Sequence, residues 1–331
     1  MKRSNQILAV VLAVQIVLGA VVFWPEKATG LTEGASLFAG LQADQIVRLT
    51  IQDASGNRLT LAQSGGAWVL AEADDFPTTG KVAEFIEKIV QLQADRLITQ
   101  TASSHKRLKV TDSDFERWIT FELADGAVHN LYLGTTPSYG AVHVRADDTD
   151  EVYLASGLSA SDANAQASAW IDTLYFSAPT DDMVALTLQN ASGTLDFEKG
   201  ENGAWTMKGL SADETFLESS LTTLLNRLSS LRMSRPLGKQ QKEEYGLAEP
   251  LAVITLQTRD AAGVSKTYSL RVGARSETDE SYAVISSESP YVVHVSSYTA
   301  GDFVDKTRQD FIELPPTPTP EPTAEATPTG S

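Results

Sequence analysis

The segment Val47–Gly56 reads VRLTIQDASG, and the segment Val184–Gly193 reads VALTLQNASG. Seven of these ten positions are identical at an offset of 137 residues. The same offset relates Gly66-Ala67-Trp68 to Gly203-Ala204-Trp205. A period this long predicts two similar domains, whereas the units of a solenoid are roughly 20–50 residues long.

Both copies of this segment alternate between apolar and polar residues, which predicts a half-buried β-strand. In the first copy Val47, Leu49 and Ile51 are expected to share the buried face. The DASG and NASG sequences that follow are typical of a turn between two hairpin strands. Each copy therefore begins with a predicted β-hairpin.

A stretch with helical spacing follows each hairpin. Apolar residues recur at i, i+3, i+4 and i+7 in Val82, Phe85, Ile86 and Ile89, and with similar spacing from Leu217 to Leu231. Ser211-Ala-Asp-Glu214 matches a capping box ahead of the second helix. The remainder of each copy returns to strand-like patterns, which end at about Leu154 and Val295.

This order of elements predicts an α+β fold. We expect two tandem repeats of a mostly antiparallel sheet with one main packed helix each, and an N-terminal transmembrane helix. The predicted domains are a membrane anchor or signal peptide at 1–24, a linker at 25–43, repeat domains at 44–178 and 179–313, and a disordered Pro/Thr-rich tail at 314–331.

The N-terminus carries Lys2 and Arg3 before an apolar run from Ile7 to Trp24. A run of this length is long enough for a short membrane span, and the positive charges before it predict a cytoplasmic N-terminus. A cleaved signal peptide is the alternative, but Val22-Phe23-Trp24-Pro25 is a poor cleavage site. We expect a single-pass protein of the cell membrane, held through residues 7–24, with the bulk of the chain extracytoplasmic.

The composition excludes several classes of protein. The 331 residues contain 26 Lys and Arg, 43 Asp and Glu and no Cys, for a formal net charge of −17. Without Lys2 and Arg3, 24 basic and 43 acidic residues remain, a charge of −19. Such an acidic chain is a poor nucleic-acid binder, because phosphate contacts need Lys and Arg. Without Cys there is no disulfide, thiolate metal site or lipoprotein anchor.

The titratable residues offer weak candidates for a site. His129 and His143 could lie on neighbouring strands and share a metal, although zinc normally has three or four protein ligands. His143 alternates with Val142 and Val144, which predicts that it faces solvent. The acidic cluster Asp147–Glu151 is consistent with calcium, or with a solvated turn. We assign no catalytic, cofactor-binding or metal residue and expect no cofactor.

Trp68 and Trp205 occupy equivalent positions in the two copies. Either could be a ligand platform, but a Trp in such a strand is more often a core anchor because of its large apolar area.

The segment Tyr245-Gly246-Leu247 could likewise be structural or could bind a ligand. Gly246 permits a sharp turn, Leu247 can plug the core and Pro250 can start an edge strand, so the segment is expected to be a structural latch rather than a binding loop.

The second copy resembles the bacterial family called domain of unknown function 4340. The resemblance rests on Trp205, the helix from Phe216 to Leu231 and Tyr245-Gly-Leu-Ala-Glu-Pro250. It continues through Leu270-Arg-Val-Gly273, Tyr282, Val292 to Val295 and Phe303-Val-Asp-Lys306. It covers about residues 183–312 well, and the first copy more loosely, since Lys109 to Trp118 takes the place of the Tyr-Gly-Leu segment.

Members of this family resemble accessory components encoded beside gliding-type ABC transporter subunits, and the resemblance carries over no catalytic residues. It implies a membrane-anchored, extracytoplasmic, non-enzymatic accessory or interaction protein, whose partner is an ABC transporter or another envelope protein. An envelope polymer-binding or ligand-binding surface module is the alternative. An enzyme using dispersed carboxylates ranks last, since sequence cannot supply the distances that such catalysis requires.

Overall fold

The computed structural model describes residues 31–313 together with Gln15. The predicted anchor at 1–24, the first part of the linker and the tail at 314–331 lie outside these residues. Within 31–313, each helix is too short or too polar to cross a lipid bilayer.

The described residues form strands and helices whose bounds are as follows. The strands up to residue 156 are β1 Ala35–Ser36, β2 Ile46–Asp53, β3 Arg58–Ser64, β4 Ala67–Leu70, β5 Phe76–Pro77, β6 Gln93–Ala94, β7 Arg96–Thr99, β8 Arg117–Leu123, β9 Val128–Leu133, β10 Ala141–Ala146 and β11 Val152–Ser156. The later strands are β12 Leu174–Phe176, β13 Met183–Asn190, β14 Gly193–Lys199, β15 Trp205–Met207, β16 Thr215–Phe216, β17 Leu231–Arg232, β18 Arg235–Gly238, β19 Ala252–Arg259, β20 Ser265–Arg275, β21 Tyr282–Ser286, β22 Val292–Val295 and β23 Ile312–Glu313. The α-helices are α1 Lys81–Val90, α2 His105–Leu108, α3 Glu218–Ser229 and α4 Ser297–Val304.

The chain divides into two compact units. The first contains residues up to 58 and residues 83–165, and the second contains residues 59–82 and the chain from 166 onward. Within the first unit the antiparallel strands run in the order β2-β8-β9-β10-β11-β7. Within the second unit the order is β15-β14-β13-β19-β20-β21-β22-β18. The predicted α+β class with mostly antiparallel sheets is confirmed.

The two units repeat one strand order. The order β2-β8-β9-β10-β11-β7 in the first unit has the same connectivity as β13-β19-β20-β21-β22-β18 in the second. In each unit the last of these edge strands, β7 or β18, comes from the chain segment that follows the main helix. Sequence alternation did not reveal β7 or β18, because both are short edge strands.

The first predicted strand differs from its expected register in both units. Leu49 and Ile51 are buried as expected, but Val47 is only half-buried and Ile46 is buried instead. The cause is a register shift in the pairing with β8, between Ile46 and Arg48. A β-bulge of this kind adds a residue and turns the next side chain to the other face. The second unit has the same irregularity after Met183.

Pro250 does not start an edge strand. The strand that follows it, β19, begins at Ala252 and pairs on one side with β13 and on the other with β20. Pro250 lies outside this interior strand, where its missing N–H removes no ladder hydrogen bond.

The main helices have the predicted faces. Phe85, Ile86 and Ile89 of α1 are buried, as are Leu221, Leu224, Leu225 and Leu228 of α3. The predicted capping box does not lie at the start of α3. The Glu214 carboxylate does accept the backbone N–H of Ser211 at 2.9 Å. However, β16 separates that turn from the first residue of α3, and the Glu214 carboxylate also pairs with Arg308.

The described part of the predicted linker packs on the first unit. Leu37, Phe38 and Leu41 are buried. The ring of Phe38 meets that of Phe121 edge to face, with centroids 5.0 Å apart. The backbone N–H of Leu37 donates to the carbonyl oxygen of Leu92 at 2.8 Å.

In the second unit, residues 59–82 contribute the antiparallel strands β3, β4 and β5. The ring of Phe76 packs against that of Tyr291, with centroids 4.7 Å apart. The carboxylate of Asp74 accepts the backbone N–H of Lys239 at 2.6 Å. Residues far apart in the sequence thus stabilise the edge formed by β18.

Candidate functional site

The candidate site of the second unit is built around the buried imidazole of His294. It lies on β22, opposite Ala283 of β21 and Arg235 of β18, and is only 6% exposed. The sequence Val292-Val293-His294-Val295 places it in the middle of a buried strand. A polar ring at such a position needs hydrogen-bond partners, since an unsatisfied buried polar group costs about 1–3 kcal/mol.

Two charged side chains meet His294 at one ring nitrogen. The guanidinium of Arg235 donates through Nε to Nδ1 of His294 at 3.2 Å, and a carboxylate oxygen of Asp279 lies 3.3 Å from the same nitrogen. Nδ1 accepts from Arg235 when the ring proton is on Nε2, and it donates to Asp279 when the proton is on Nδ1, so the tautomer decides which contact is a hydrogen bond. Burial, and then the positive charge of Arg235, lower the pKa of His294 in spite of Asp279.

The Asp279 carboxylate is fixed by its own neighbours. It accepts the hydroxyl of Ser281 at 2.6 Å and pairs with Arg235 at 3.5 Å. Burial would raise its pKa, but hydrogen bonds from Ser281 and Ser276 outweigh burial and hold the pKa of Asp279 far below its ordinary value. Since the Ser281 hydroxyl donates to Asp279 rather than to His294, these groups do not form a nucleophile activated by a base.

His294 and Arg235 line an open cleft of about 560 Å³. Tyr245 and Ala283 give it an apolar floor, and both belong to a buried cluster with Leu247, Ile285 and Val292. Its charged lining residues are Arg235, Arg275, Glu244 and Glu277. A cleft with both charge signs, apolar lining residues and an imidazole is suited to binding a polar ligand or a partner side chain.

The first unit holds a second buried imidazole. His143 is 8% exposed, which corrects the expectation that it faces solvent. Its Nδ1 lies 2.8 Å from the hydroxyl of Thr135. Burial lowers the pKa of His143, and the charges of Arg107 and Arg96 act in the same direction. β10 has buried residues on both of its faces, so alternation along the strand could not show which residues face solvent.

Each unit also contains a glycine that accommodates a carbonyl group. A Cβ on Gly273 would lie 2.0 Å from the carbonyl oxygen of Tyr245, and a Cβ on Gly134 would lie 2.0 Å from that of Leu108. The residue that follows each carbonyl is left-handed, namely Gly246 at φ 60° and Lys109 at φ 56°. The first unit thus builds the same local structure without a Tyr-Gly-Leu sequence.

The residue after each left-handed position has a side chain buried in the core. Leu247 is 2% exposed, and Arg271 donates to its carbonyl oxygen at 2.8 Å. Val110 is fully buried, and Arg145 donates to its carbonyl oxygen at 2.6 Å. These contacts agree with a structural latch, and they also place Tyr245 beside the His294 cleft.

His129 and His143, considered above as a weak candidate for a shared metal, face different partners. His129 lies 3.0 Å from an Asp147 carboxylate oxygen, while His143 faces Thr135. The other buried histidine, His105, lies 2.9 Å from the carbonyl oxygen of Asp150. In the described part of the chain no group of three or more His, Asp and Glu side chains could hold a metal ion.

The acidic cluster Asp147–Glu151 belongs to the turn between β10 and β11. Asp147 is left-handed at φ 47°, and its carboxylate accepts the backbone N–H of Asn130 at 2.8 Å. Arg145 donates to the carbonyl oxygen of Asp147 at 2.9 Å. The oxygens at this end of the cluster therefore organise the turn, which agrees with the second of the two interpretations.

Trp68 and Trp205 are both half-buried and lie outside the set of buried core residues. The preference for two core anchors is therefore corrected. Trp68 lies on β4, and Trp205 on β15 at one end of the sheet order of the second unit. β15 pairs only with β14, so the sheet leaves one side of the Trp205 position uncovered.

Sequence reasoning missed Arg235, Asp279 and His294 as a group. They come from an edge strand, a loop and an interior strand, and no fixed spacing relates them. The one available signal was the position of His294 within an apolar strand, which predicts burial and hence polar partners.

Comparisons with known proteins identify the family but no characterised relative. No curated protein and no solved structure matches the chain. The model of the family described as Domain of unknown function (DUF4340) matches residues 68–250 and residues 218–316, in two overlapping copies. Together these matches cover more than half of the sequence, and the chain therefore belongs to the DUF4340 family.

Proposed function

We propose that the protein is a membrane-anchored, extracytoplasmic and non-enzymatic accessory protein that binds an envelope partner. The apolar run from Ile7 to Trp24 behind Lys2 and Arg3 supports the anchor and its orientation. In this proposal the partner is a subunit of a gliding-type ABC transporter, and the two units are tandem repeats of one domain with a main helix each.

One observation carries the proposal, namely that the two units share their architecture but not their polar residues. They have the same strand order and the same glycine–carbonyl contact. Yet the imidazole of the first unit meets Thr135, whereas that of the second meets Arg235 and Asp279. A duplicated domain that keeps its frame and changes its polar residues is suited to presenting different contacts to a partner.

The absence of Cys allows a direct test of the topology. Ser4→Cys and Ser192→Cys each introduce a single thiol, and Ser192 lies in an exposed turn. In intact cells, a membrane-impermeant maleimide should label the S192C protein, and it should label the S4C protein only after lysis. Labelling of S4C from outside, or failure to label S192C until lysis, would contradict the proposed orientation.

The partner is tested by capturing the full-length protein from native membranes in mild detergent. ABC transporter subunits should be recovered with it, and they should be missing from a parallel capture of an unrelated single-span protein. Recovery of no transporter subunit, or equal recovery with the unrelated protein, would count against the association.

A second candidate function is binding of an envelope polymer, favoured by the partial exposure of Trp68 and Trp205. Exposed aromatic rings can stack on sugar faces, whereas core rings cannot. Titration with peptidoglycan fragments should change the tryptophan fluorescence of the wild-type protein and leave that of a W68F/W205F variant unchanged. An unresponsive wild-type protein would remove the support for this candidate.

A further inference from the structure

A second cleft, of about 380 Å³, lies in the second unit beside the end of α3 and the start of α4. It is lined by Thr223, Asn226, Arg227, Ser230, Arg232 and Thr299. Its volume is within the range of ligand clefts, roughly 300–1,000 Å³. Hydroxyl, amide and guanidinium groups supply its polar surface, and its two charged residues are both Arg.

A cleft whose charged lining residues are all Arg is unusual for such an acidic chain. The formal net charge of −17 disfavours the approach of anions in general, so an anion needs a local positive site. Arg232 provides one, since no carboxylate is among the lining residues and the charge of Arg227 is balanced by Asp302. The sign of the cleft is therefore opposite to that of the protein as a whole.

Arg227 is held in place by two contacts. Its Nε donates to the Asp302 carboxylate at 2.8 Å. Its guanidinium lies 4.5 Å from the centroid of the Tyr298 ring, a cation–π distance. Tyr298 is nevertheless 78% exposed, so its ring is an open aromatic surface next to the lining residues Arg227 and Thr299.

Arg232 differs from Arg227 because its charge is not balanced. It donates through Nη1 to the hydroxyl of Thr173 at 2.9 Å, and within residues 31–313 it takes part in no ion pair. A guanidinium has five N–H donors, so a single bond to a hydroxyl leaves a donor pair that can meet a carboxylate side on. Arg232 is exposed, which makes this pair accessible from solvent.

We propose that this cleft binds an acidic saccharide. Its carboxylate pairs with Arg232, and its hydroxyls bond to the side chains of Asn226, Ser230 and Thr299. One face of a sugar ring packs on Tyr298. The proposal does not depend on a transporter partner, and it gives the polymer-binding candidate a ligand class and a surface that neither Trp68 nor Trp205 lines.

The set of lining groups favours a saccharide over a bare anion. Inorganic phosphate would use the two guanidinium groups and leave the amide and the hydroxyls of the cleft without a role. A hydroxylated ring with a carboxylate uses both kinds of group, and the planar guanidinium matches a carboxylate in two parallel hydrogen bonds. The exposed aromatic ring adds a contact that only a ligand with an apolar face can make.

The test is a binding titration of the full-length protein in detergent by isothermal calorimetry. The probes are tetragalacturonate, the neutral tetrasaccharide maltotetraose and inorganic phosphate. Tetragalacturonate should bind at least about tenfold more tightly than either of the others, because a hydrogen bond to a charged group contributes about 1.5–3 kcal/mol. Equal binding of maltotetraose or of phosphate would overturn the proposal.

Two variants locate the site. Arg232→Gln removes the charge and keeps an amide donor, and it should weaken tetragalacturonate binding about tenfold or more. Arg259→Gln is the matched control, since Arg259 is an exposed residue of β19 outside the cleft, and it should leave the affinity unchanged. Equal losses in the two variants, or wild-type affinity in R232Q, would overturn the proposal. Circular dichroism spectra of both variants should match the wild type.

Discussion

The carbonyl oxygen of Tyr245 occupies the space that a Cβ of Gly273 would need, at a distance of 2.0 Å. This contact lets the Tyr-Gly-Leu segment lie directly on β20 and places the Tyr245 ring at the His294 cleft. The same contact between Gly134 and Leu108 in the first unit shows that the arrangement belongs to the shared architecture.

Gly273→Ala is therefore expected to destabilise the protein. Gly273 does not have a positive φ, so the cost comes from the clash with backbone atoms and not from strain at the new residue. Overpacking against atoms that cannot rotate away costs about 1–3 kcal/mol. Urea unfolding followed by circular dichroism measures the loss.

Two further substitutions serve as comparisons for Gly273→Ala. Gly134→Ala should cost a similar amount, because its Cβ would meet the Leu108 carbonyl oxygen at the same distance. Gly80→Ala is the control, since a Cβ there meets nothing within 4 Å and φ is not positive. It should cost less than about 1 kcal/mol, because the only loss expected is the poorer N-cap that Ala gives α1. A G273A protein as stable as G80A would show that the latch can shift.

The sequence predicted the strands and helix faces that have a regular residue pattern. It did not predict the irregular or very short elements. Alternation placed β2 and β13, and helical spacing placed the buried faces of α1 and α3. It failed at Val47, because a β-bulge changes the face of a side chain without changing the residue types. It also missed β7 and β18, because a strand on the edge of a sheet has too few residues to show a period.

The candidate sites depend on long-range contacts, which the sequence does not encode locally. Asp279 approaches His294 across 15 positions, and Arg235 approaches it across 59. The burial of His143 depends on the elements that cover both faces of β10. Neither fact has a signature in residue types at a fixed spacing.

Asn190→Asp tests a difference between the two hairpins. The Asn190 amide nitrogen donates to the carbonyl oxygens of Phe303 and Lys306, at 3.0 and 2.8 Å. A carboxylate would place negative charge against both carbonyls and leave them without donors. The expected loss is about 1–3 kcal/mol in the free energy of unfolding, measured by urea titration.

The matched control for Asn190→Asp is Asp53→Asn, at the equivalent position of the first unit. Asp53 accepts the backbone N–H groups of Ser55 and Asn57 through Oδ1, and an amide oxygen can do the same. The substitution loses only the exposed bond from the Asn57 side-chain amide to Oδ2, at 2.8 Å. This exposed turn should lose less than about 1 kcal/mol. A larger loss in D53N than in N190D would contradict the interpretation of Asn190 as a clamp on the segment after α4.

The stability of the protein should fall as the pH drops below about 6.5. Burial lowers the pKa of His294 and of His143 in the native state. The unfolded chain takes up these protons at the ordinary value, so it binds more protons than the native state in this window. The contribution is fully present above about pH 6.5 and declines below it, by up to about 1.4 kcal/mol per pH unit for each proton.

His294→Gln should reduce this pH dependence, and a second substitution, His143→Gln, should reduce it further. The free energy of unfolding measured from pH 7.5 down to pH 5 gives the slope, which is independent of any constant loss caused by the substitution. Proton NMR titration of the wild-type rings provides a direct check. A native pKa above about 6.5 for His294 would contradict the dominance of burial over the Asp279 charge.

Asp74→Gly and Asp75→Gly should have different effects, although both residues are left-handed, at φ 51° and 60°. Glycine relieves about 1 kcal/mol of backbone strain at either position. At Asp74 it also removes the carboxylate that accepts the Lys239 N–H at 2.6 Å, a charged hydrogen bond in the range of about 1.5–3 kcal/mol. D74G should therefore be less stable than the wild type by about 1 kcal/mol, since the hydrogen bond outweighs the strain.

Asp75 provides the internal control for this comparison. Its carboxylate accepts the hydroxyl of Ser64 at 2.8 Å. Both bonds are exposed, but the Ser64 hydroxyl is a side-chain group that can turn to water, whereas the Lys239 N–H is fixed in the backbone that follows β18. D75G should therefore unfold within about 0.5 kcal/mol of the wild type, or be slightly more stable. Thermal and urea unfolding of both variants measure the difference. A D74G protein at least as stable as D75G would show that the Asp74–Lys239 bond does not hold residues 59–82 against β18, and that the packing of Phe76 on Tyr291 suffices.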